Sequence, residues 1–387
     1  MLVDAADFRS AEAGRLVRTP QGVLAFVPAP LPPALSFDQA LVLALSRADT
    51  ALSELSGIGR QLPNPHLLIA PYLRREAVLS SRIEGTQASI SDLLADEAGQ
   101  APQAPADDVL EVRNYVTALE YGVERLRSLP LSLRLVRELH AKLMHGVRGE
   151  RATPGEFRRS QNWIGPPGST LATATYVPPP PEEMKQALGE WERFLHRRDD
   201  LPDLVQCALM HEHFEAIHPF LDGNGRVGRL LITLFLIERE RLSQPLLYLS
   251  EYIERERSDY YACLQRIRTH GDWAGWLHYF LAGVRWSARR ATRQARDLMD
   301  LRERMRRKVA QSPRALALVD ELFVNPHINA ARVKALLRVS DPTARAALAD
   351  LEKAGLIHET SGRQWGRQYL ARGVLRAIEK PAEDEHD

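Results

Sequence analysis

Apolar residues recur along most of this chain at the three-to-four-residue spacing of amphipathic helices. Val109, Val112, Val116 and Leu119, then Leu131, Leu133, Val136, Leu139 and Leu143, mark two of them between Asp107 and about Met144. Upstream, Pro28-Ala29-Pro30-Leu31-Pro32-Pro33 precedes one helical stretch, and the Gly- and Pro-containing run from Glu97 to Pro105 follows another, which predicts a boundary near residue 105. The texture changes between Phe157 and Glu182. Asn162 to Gly168 and Thr173 to Val177 are short, turn-flanked and β-prone, and the four prolines Pro178 to Pro181 stop them. Proline donates no ladder hydrogen bond, so this stretch predicts a short β-hairpin flap on a helical body. Helical periodicity resumes at Met184 and runs, with loops, to about residue 308.

The C-terminal third carries two further patterns. Between Arg285 and Lys308, Arg289, Arg290, Arg293, Arg296, Arg302, Arg304, Arg306 and Arg307 outnumber Asp297, Asp300 and Glu303. This predicts a basic connecting helix whose charges serve either a solvated face or a nucleic-acid contact. Residues 313–375 then order three helical patterns, Gly355, and a β-prone stretch from Ile357 to Leu370 with a Ser361-Gly362 turn. Three helices and a two-stranded wing in that order resemble a winged helix-turn-helix. The predicted fold class is mainly α, in four parts: an N-terminal helical region (1–105), a helical core with its flap (106–285), a basic connecting helix (286–312) and a small winged-helix domain (313–378).

Composition narrows the function classes. Across 387 residues, 51 Lys and Arg balance 50 Asp and Glu, which excludes a histone-like coating protein while leaving room for local basic patches. Cys207 and Cys263 alone cannot make a disulfide framework or a Cys-based zinc finger, and suit a reducing cytosol. The early acids Asp4 and Asp7 do not read as an export signal, and the longest apolar run, Leu230 to Ile237, is far short of the roughly 20 residues of a membrane span. A cytoplasmic protein with no membrane partner is expected.

The most informative segment is His218-Pro219-Phe220-Leu221-Asp222-Gly223-Asn224-Gly225-Arg226-Val227-Gly228-Arg229, set between two apolar helical runs. A Gly-Asn-Gly turn opening a helix leaves backbone N–H groups pointing into one concavity, where the helix dipole adds positive charge. Such a nest binds phosphates. Arg226 and Arg229 lie three apart on one helix face and can reach the same anion. Asp222 beside a phosphate nest makes sense if a hard cation sits between them, because one carboxylate plus phosphate oxygens and waters is a typical Mg²⁺ site. His218, ending the preceding helix, is a candidate general base. Together these are the parts for phosphoryl or nucleotidyl transfer from a nucleoside triphosphate. His211, Glu215 and His218 also share a helix face in the manner of a zinc set, but no further ligand is evident.

Nine defined positions in these twelve residues match His-Pro-Phe-x-Asp/Glu-Gly-Asn-Gly-Arg-x-x-Arg, so the chain resembles the Fic (filamentation induced by cAMP) family from about residue 35 to 285. The resemblance implies a Fic-type helical core and transfer of AMP from ATP to a Tyr, Thr or Ser hydroxyl of a target protein, with self-modification open. On that analogy His218 deprotonates the hydroxyl and Asp222 holds Mg²⁺. Gly223, Asn224 and Gly225 cradle the α- and β-phosphates, Arg226 supports the β-phosphate and Arg229 the γ-phosphate. Gly225 argues for AMP transfer, since family variants with Lys there phosphorylate. The flap aligns the target backbone, His211 takes a structural place, and Tyr260 and Tyr261 resemble the paired tyrosines of the adenine pocket.

Ser80-Ser81-Arg82-Ile83-Glu84-Gly85 fits the family's inhibitory pattern Ser/Thr-x-x-x-Glu-Gly/Asn. Ser80 and Glu84 stand at i and i+4, so the hydroxyl is expected to hold the carboxylate, with Gly85 ending the helix. The resemblance implies that Glu84 pairs with Arg229 and occupies the γ-phosphate site. Two other functions fit the same sequence: a DNA-binding regulator whose Fic body senses nucleotide, using Arg332, Lys334, Arg338, Arg345, Arg363 and Arg367, and an enzyme that removes AMP from a modified target. A homodimer is compatible with either.

Overall fold

The computed structural model describes residues 8–61, 66–147 and 153–380. It opens on an element absent from the expectations above, an antiparallel hairpin of β1 (Gly14–Arg18) and β2 (Leu24–Pro28), paired from Gly14–Pro28 to Arg18–Leu24. Its signal is the pair of apolar stretches flanking Pro20-Gln21-Gly22, where Gly22 takes the left-handed φ of 82° that the turn needs.

Helices follow: α1 (Gln39–Gln61), α2 (His66–Ile83), α3 (Ile90–Glu97), α4 (Ala106–Arg125), α5 (Leu133–Leu143), α6 (Pro181–Leu195), α7 (Asp203–Ile217), α8 (Asn224–Glu238), α9 (Ser250–Arg255), α10 (Arg257–His270) and α11 (Trp273–Lys308). Caps legible in the sequence start several. Before α3, the Ser89 hydroxyl accepts the Asp92 N–H (3.1 Å) while the Asp92 carboxylate accepts the Ser89 N–H (3.0 Å), a reciprocal box that satisfies two otherwise orphaned donors.

At the centre lie α7 and α8. Every residue of α7 from Leu204 to Ile217 is buried, as is most of α8, and a helix buried on all sides needs a neighbour on each. Helix α6 and the long α11 flank α7, while α4, α5 and α2 pack on α8. Two tryptophans tie the layers: the indoles of Trp191 and Trp276 donate to the Met210 and Ala208 carbonyls of α7, each at 3.0 Å. Helix α1 lies along α11, and one continuous apolar core runs from Leu41 to Ile378.

The stretch expected as a flap pairs at a single antiparallel bridge, Ile164 to Tyr176, around a 3₁₀ turn at Leu171–Thr173. Pro166, Pro167 and Pro178 to Pro181 remove the donors that a longer ladder would use. Strand β2 takes over where the ladder stops, the Phe26 N–H donating to the Val177 carbonyl at 2.9 Å.

The expected basic connecting helix is the second half of α11, unbroken from the core. Its arginines meet acids of neighbouring helices, Arg296 with Glu54 (2.7 Å) and Arg302 with Asp320 (2.8 Å). Beyond it come α12 (Pro313–Val324), β3 (His327–Asn329), α13 (Ala330–Leu337), α14 (Asp341–Lys353), β4 (His358–Glu359), β5 (Gln368–Leu370) and α15 (Arg372–Glu379). The sheet order is β3-β5-β4, so a third strand joins the two expected. This unit rests on the core: α12 and α15 pack on α2, and the Arg75 guanidinium of α2 donates to the Ile378 carbonyl at 2.8 Å.

Candidate functional site

The loop between α7 and α8 is shaped by two left-handed residues. His218 caps α7 at φ 50°, its N–H donating to the Phe214 carbonyl (3.0 Å), and Gly223 caps the start of α8 at φ 79°. Asn224 locks the loop between them: its Oδ1 accepts the Phe220 N–H and its Nδ2 donates to the Phe220 carbonyl, both at 2.8 Å. The side chain thus holds the loop, and the donors left for an anion are backbone N–H groups of the first turn of α8.

Two residues that the sequence reading did not single out brace this loop from outside. Arg158, 1% exposed, donates to the carbonyls of His218 (2.9 Å), Ser160 (3.1 Å), Pro179 (2.5 Å) and Ile217 (3.4 Å), joining the flap to the motif. Burial pulls its guanidinium down to about 10. His140 stacks on Phe220 (3.7 Å between centroids), accepts the Gly155 N–H at Nδ1 (2.8 Å) and therefore donates from Nε2 to the Asp222 carbonyl (3.0 Å). Burial pushes its pKa down to about 4, which keeps that tautomer neutral.

The two motif arginines are buried and occupied. Arg226 pairs with Glu111 of α4 at 3.2 Å, a partner absent from the motif. Arg229 donates from Nε to the Ser80 hydroxyl (2.8 Å) and from Nη2 to the Ser80 carbonyl (3.0 Å) and to Glu84 Oε1 (2.6 Å). The expected Ser80–Glu84 contact is replaced: both residues converge on Arg229. The physical reason is position, since α2 ends at Ile83 and Gly85 follows at φ 104°, so Glu84 leaves the helix face that carries Ser80. Burial would raise the Glu84 carboxyl, but Arg229 outweighs it and holds the group below the usual carboxylate range. The carboxylate also lies over Gly225, where any Cβ would collide with Oε1.

Beside this pair opens a cavity of about 500 Å³ whose lining includes Glu84, His218, Gly225, Arg229, Tyr260 and Tyr261, within the range of small-molecule sites. Burial, reinforced by the Arg158 and Arg268 charges, pushes His218 down to about 3, so the imidazole is neutral and able to accept a proton near pH 7. His211 bridges three helices, Nδ1 to the Gly228 carbonyl (3.1 Å) and Nε2 to the Tyr260 hydroxyl (3.0 Å). Tyr260 is therefore fixed by α7, while Tyr261 is 46% exposed at the cavity wall. Gly223, Asn224, Arg226 and Asp222 frame the loop and Ser80 stands behind Arg229. Asp222 accepts the Gly223 N–H at Oδ1 (2.6 Å), and its side chain is half exposed. Among the described residues no group of three or more His, Cys, Asp or Glu could hold a metal by itself. One half-exposed carboxylate beside the N-terminus of α8 is a donor set that would fit Mg²⁺ carried in on a polyphosphate and shared with its oxygens.

Comparison with known proteins agrees with this geometry. The Fic/DOC family N-terminal model matches residues 42–124 and the Fic/DOC family model residues 130–236. A protein adenylyltransferase Fic of Drosophila grimshawi is 29% identical over 169 residues, 43% of this chain and 31% of the relative. That of Drosophila melanogaster is 28% identical over the same length. The match thus spans about a third of these relatives. A Fic family protein from Desulfovibrio desulfuricans G20 superposes with a TM-score of 0.59 at 21% identity, covering 88% of this chain and 98% of that one. Fic-1 of Caenorhabditis elegans superposes at 0.50 and 20% identity, covering 68% and 73%. With the two regions matched in order, and His218, Gly225 and Arg229 of the motif lining one cavity beside α7 and α8, residues 42–236 are a Fic/DOC family region.

Proposed function

We propose that the protein is an adenylyltransferase that moves AMP from ATP to a Tyr, Thr or Ser hydroxyl of a target protein, or of itself, and that Glu84 restrains it. The observation that carries the reading is the Glu84–Arg229 pair, a carboxylate seated over Gly225 in the cavity that His218 lines. An anion already stands where a triphosphate would be held. The likeness to proteins named adenylyltransferases supports the same chemistry.

In this reading the neutral His218 imidazole takes the proton of the target hydroxyl. The freed oxygen bonds to the α-phosphorus as the bond to the β-phosphate oxygen breaks, and pyrophosphate leaves. The first-turn amides of α8 and Arg226 hold the phosphates, Arg229 takes the γ-phosphate once Glu84 releases it, and Tyr260 and Tyr261 wall the base. Asp222 would hold Mg²⁺, which supplies charge neutralisation on the bridging phosphates when bound. The paired segments at Ile164 and Tyr176 offer a short edge to an extended target. Residues 313–378 are proposed as a winged-helix module for a protein or DNA partner.

The test is incubation with ATP labelled at the α- or the γ-position. Transfer of α-label by the Glu84→Gly protein, lost in His218→Ala, supports AMP transfer. Transfer of γ-label refutes it in favour of kinase chemistry, and α-label released from a pre-modified target by the wild type alone favours AMP removal.

A further inference from the structure

Four arginines are buried around the motif, and three of them are held by hydrogen-bonding or ionic partners of the protein. Arg158 has four carbonyls, Arg226 has Glu111, and Arg229 has Ser80 and Glu84. Arg268 of α10 differs. It is 6% exposed and lines the cavity with His218, yet among the described residues no hydrogen bond or ion pair reaches its guanidinium, and its Nε is buried without a partner. Its guanidinium lies over the Tyr176 ring, whose centroid is 3.7 Å from the guanidinium carbon. Stacking occupies the flat face of a guanidinium and leaves the edge, where all five N–H donors lie.

A buried cation with unfilled donors is costly unless a ligand completes it. Glu212 and Glu215 bear on it electrostatically, but among the described residues no ion pair joins either to it, and burial pushes both carboxyls up to about 7. An anion that enters the cavity can fill those donors. Arg229 stands at the Glu84 end, over Gly225. Arg268 stands toward His218, whose ring feels its charge, and toward the flap residue Tyr176.

We propose that Arg268 binds the α-phosphate, donating to a non-bridging oxygen of the phosphoryl group that is transferred. This rests on the nucleotidyl-transfer reading above. It assigns a third phosphate-contacting arginine from α10, outside both matched family regions. Planar N–H donors at that phosphorus oppose the charge its oxygens carry as the target oxygen adds and pyrophosphate departs.

The experiment is a ligand ladder in the Glu84→Gly protein with Mg²⁺: calorimetry for ATP and AMP, and ligand-observed NMR titration for adenosine. Arg268→Gln should raise Kd for ATP and for AMP alike by roughly 10- to 100-fold, the loss of one charge-assisted contact, and leave adenosine unchanged. Arg268→Lys, which keeps the charge but not the fork, should fall between and guards against a Gln variant that fails to fold. An equal loss for adenosine would make Arg268 a structural residue and overturn the assignment. So would unchanged AMP binding, including the case where transfer to the target drops and Arg268 serves the target instead. If the Glu84→Gly parent binds neither ATP nor AMP, the nucleotide reading itself fails, a result distinct from all of these.

Discussion

Removing the Glu84 carboxylate should release Arg229 to ATP. The pair is 2.6 Å between Nη2 and Oε1, with Arg229 almost fully buried and the Glu84 side chain 36% exposed. Two unit charges about 4 Å apart attract by roughly 4 kcal/mol at an effective dielectric of about 20. Solvent reaches Glu84 and screens part of this, and the Ser80 bonds to Arg229 survive the substitution, which leaves about 1–3 kcal/mol for ATP to overcome. In affinity that is roughly 5- to 150-fold. We therefore expect Glu84→Gly to lower the apparent Kd for ATP by that factor and to raise α-label transfer with it, both measured against the wild type at one salt concentration. Glu84→Gln keeps the volume and loses the charge, and should recover most of the gain. Equal Kd and equal transfer for wild type and Glu84→Gly would refute the reasoning. A Gln variant indistinguishable from wild type would show that steric filling over Gly225, and not charge, is the restraint.

Three further outcomes follow from the same geometry. Because Ser80 holds Arg229 and not Glu84, Ser80→Ala in the Glu84→Gly background should weaken ATP binding by about 5- to 10-fold in calorimetry; a wild-type Ser80→Ala that behaves like Glu84→Gly would contradict this. Arg158→Ala removes a donor shared by four carbonyls, two of the bonds being fully buried, and should cost roughly 2–5 kcal/mol in denaturant unfolding, where a change below about 0.5 kcal/mol would count against the bracing role. Glu84 is held below its ordinary carboxyl value of 4.5 by Arg229 against the opposing effect of burial, so the pair's stabilisation is complete above that value and fades only as pH falls through the lower folded one. The ratio of Glu84→Gly to wild-type transfer should thus stay constant from pH 5.5 to 8, and a ratio approaching one near pH 5.5 would refute it.

Much of this molecule is written in local sequence. The helices α4 and α5 fall where the apolar spacing placed them, the flap segments sit between their prolines, and the motif folds as helix, loop and helix, with Gly223 capping the start of α8. Helix periodicity, proline stops and a glycine turn act between near neighbours, so a sequence displays them directly. The N-terminal hairpin is equally local, two apolar stretches about Pro20-Gln21-Gly22, although the helical spacing around it does not announce it. Long-range pairing is another matter. Arg226 meets Glu111 across 115 positions, Arg158 grips the His218 carbonyl across 60, and Arg268 of α10 stacks on Tyr176 of the bridged segment. Nothing in the spacing of the chain joins Glu84 to Arg229, which lie 145 positions apart; family resemblance implies the pair. With 51 basic and 50 acidic side chains in one chain, charge alone names no partner. Only the packing of α2, α4, α7, α8 and α10 decides which arginines the protein pairs, and leaves Arg268, among the described residues, in the cavity wall with no ionic or hydrogen-bonding partner.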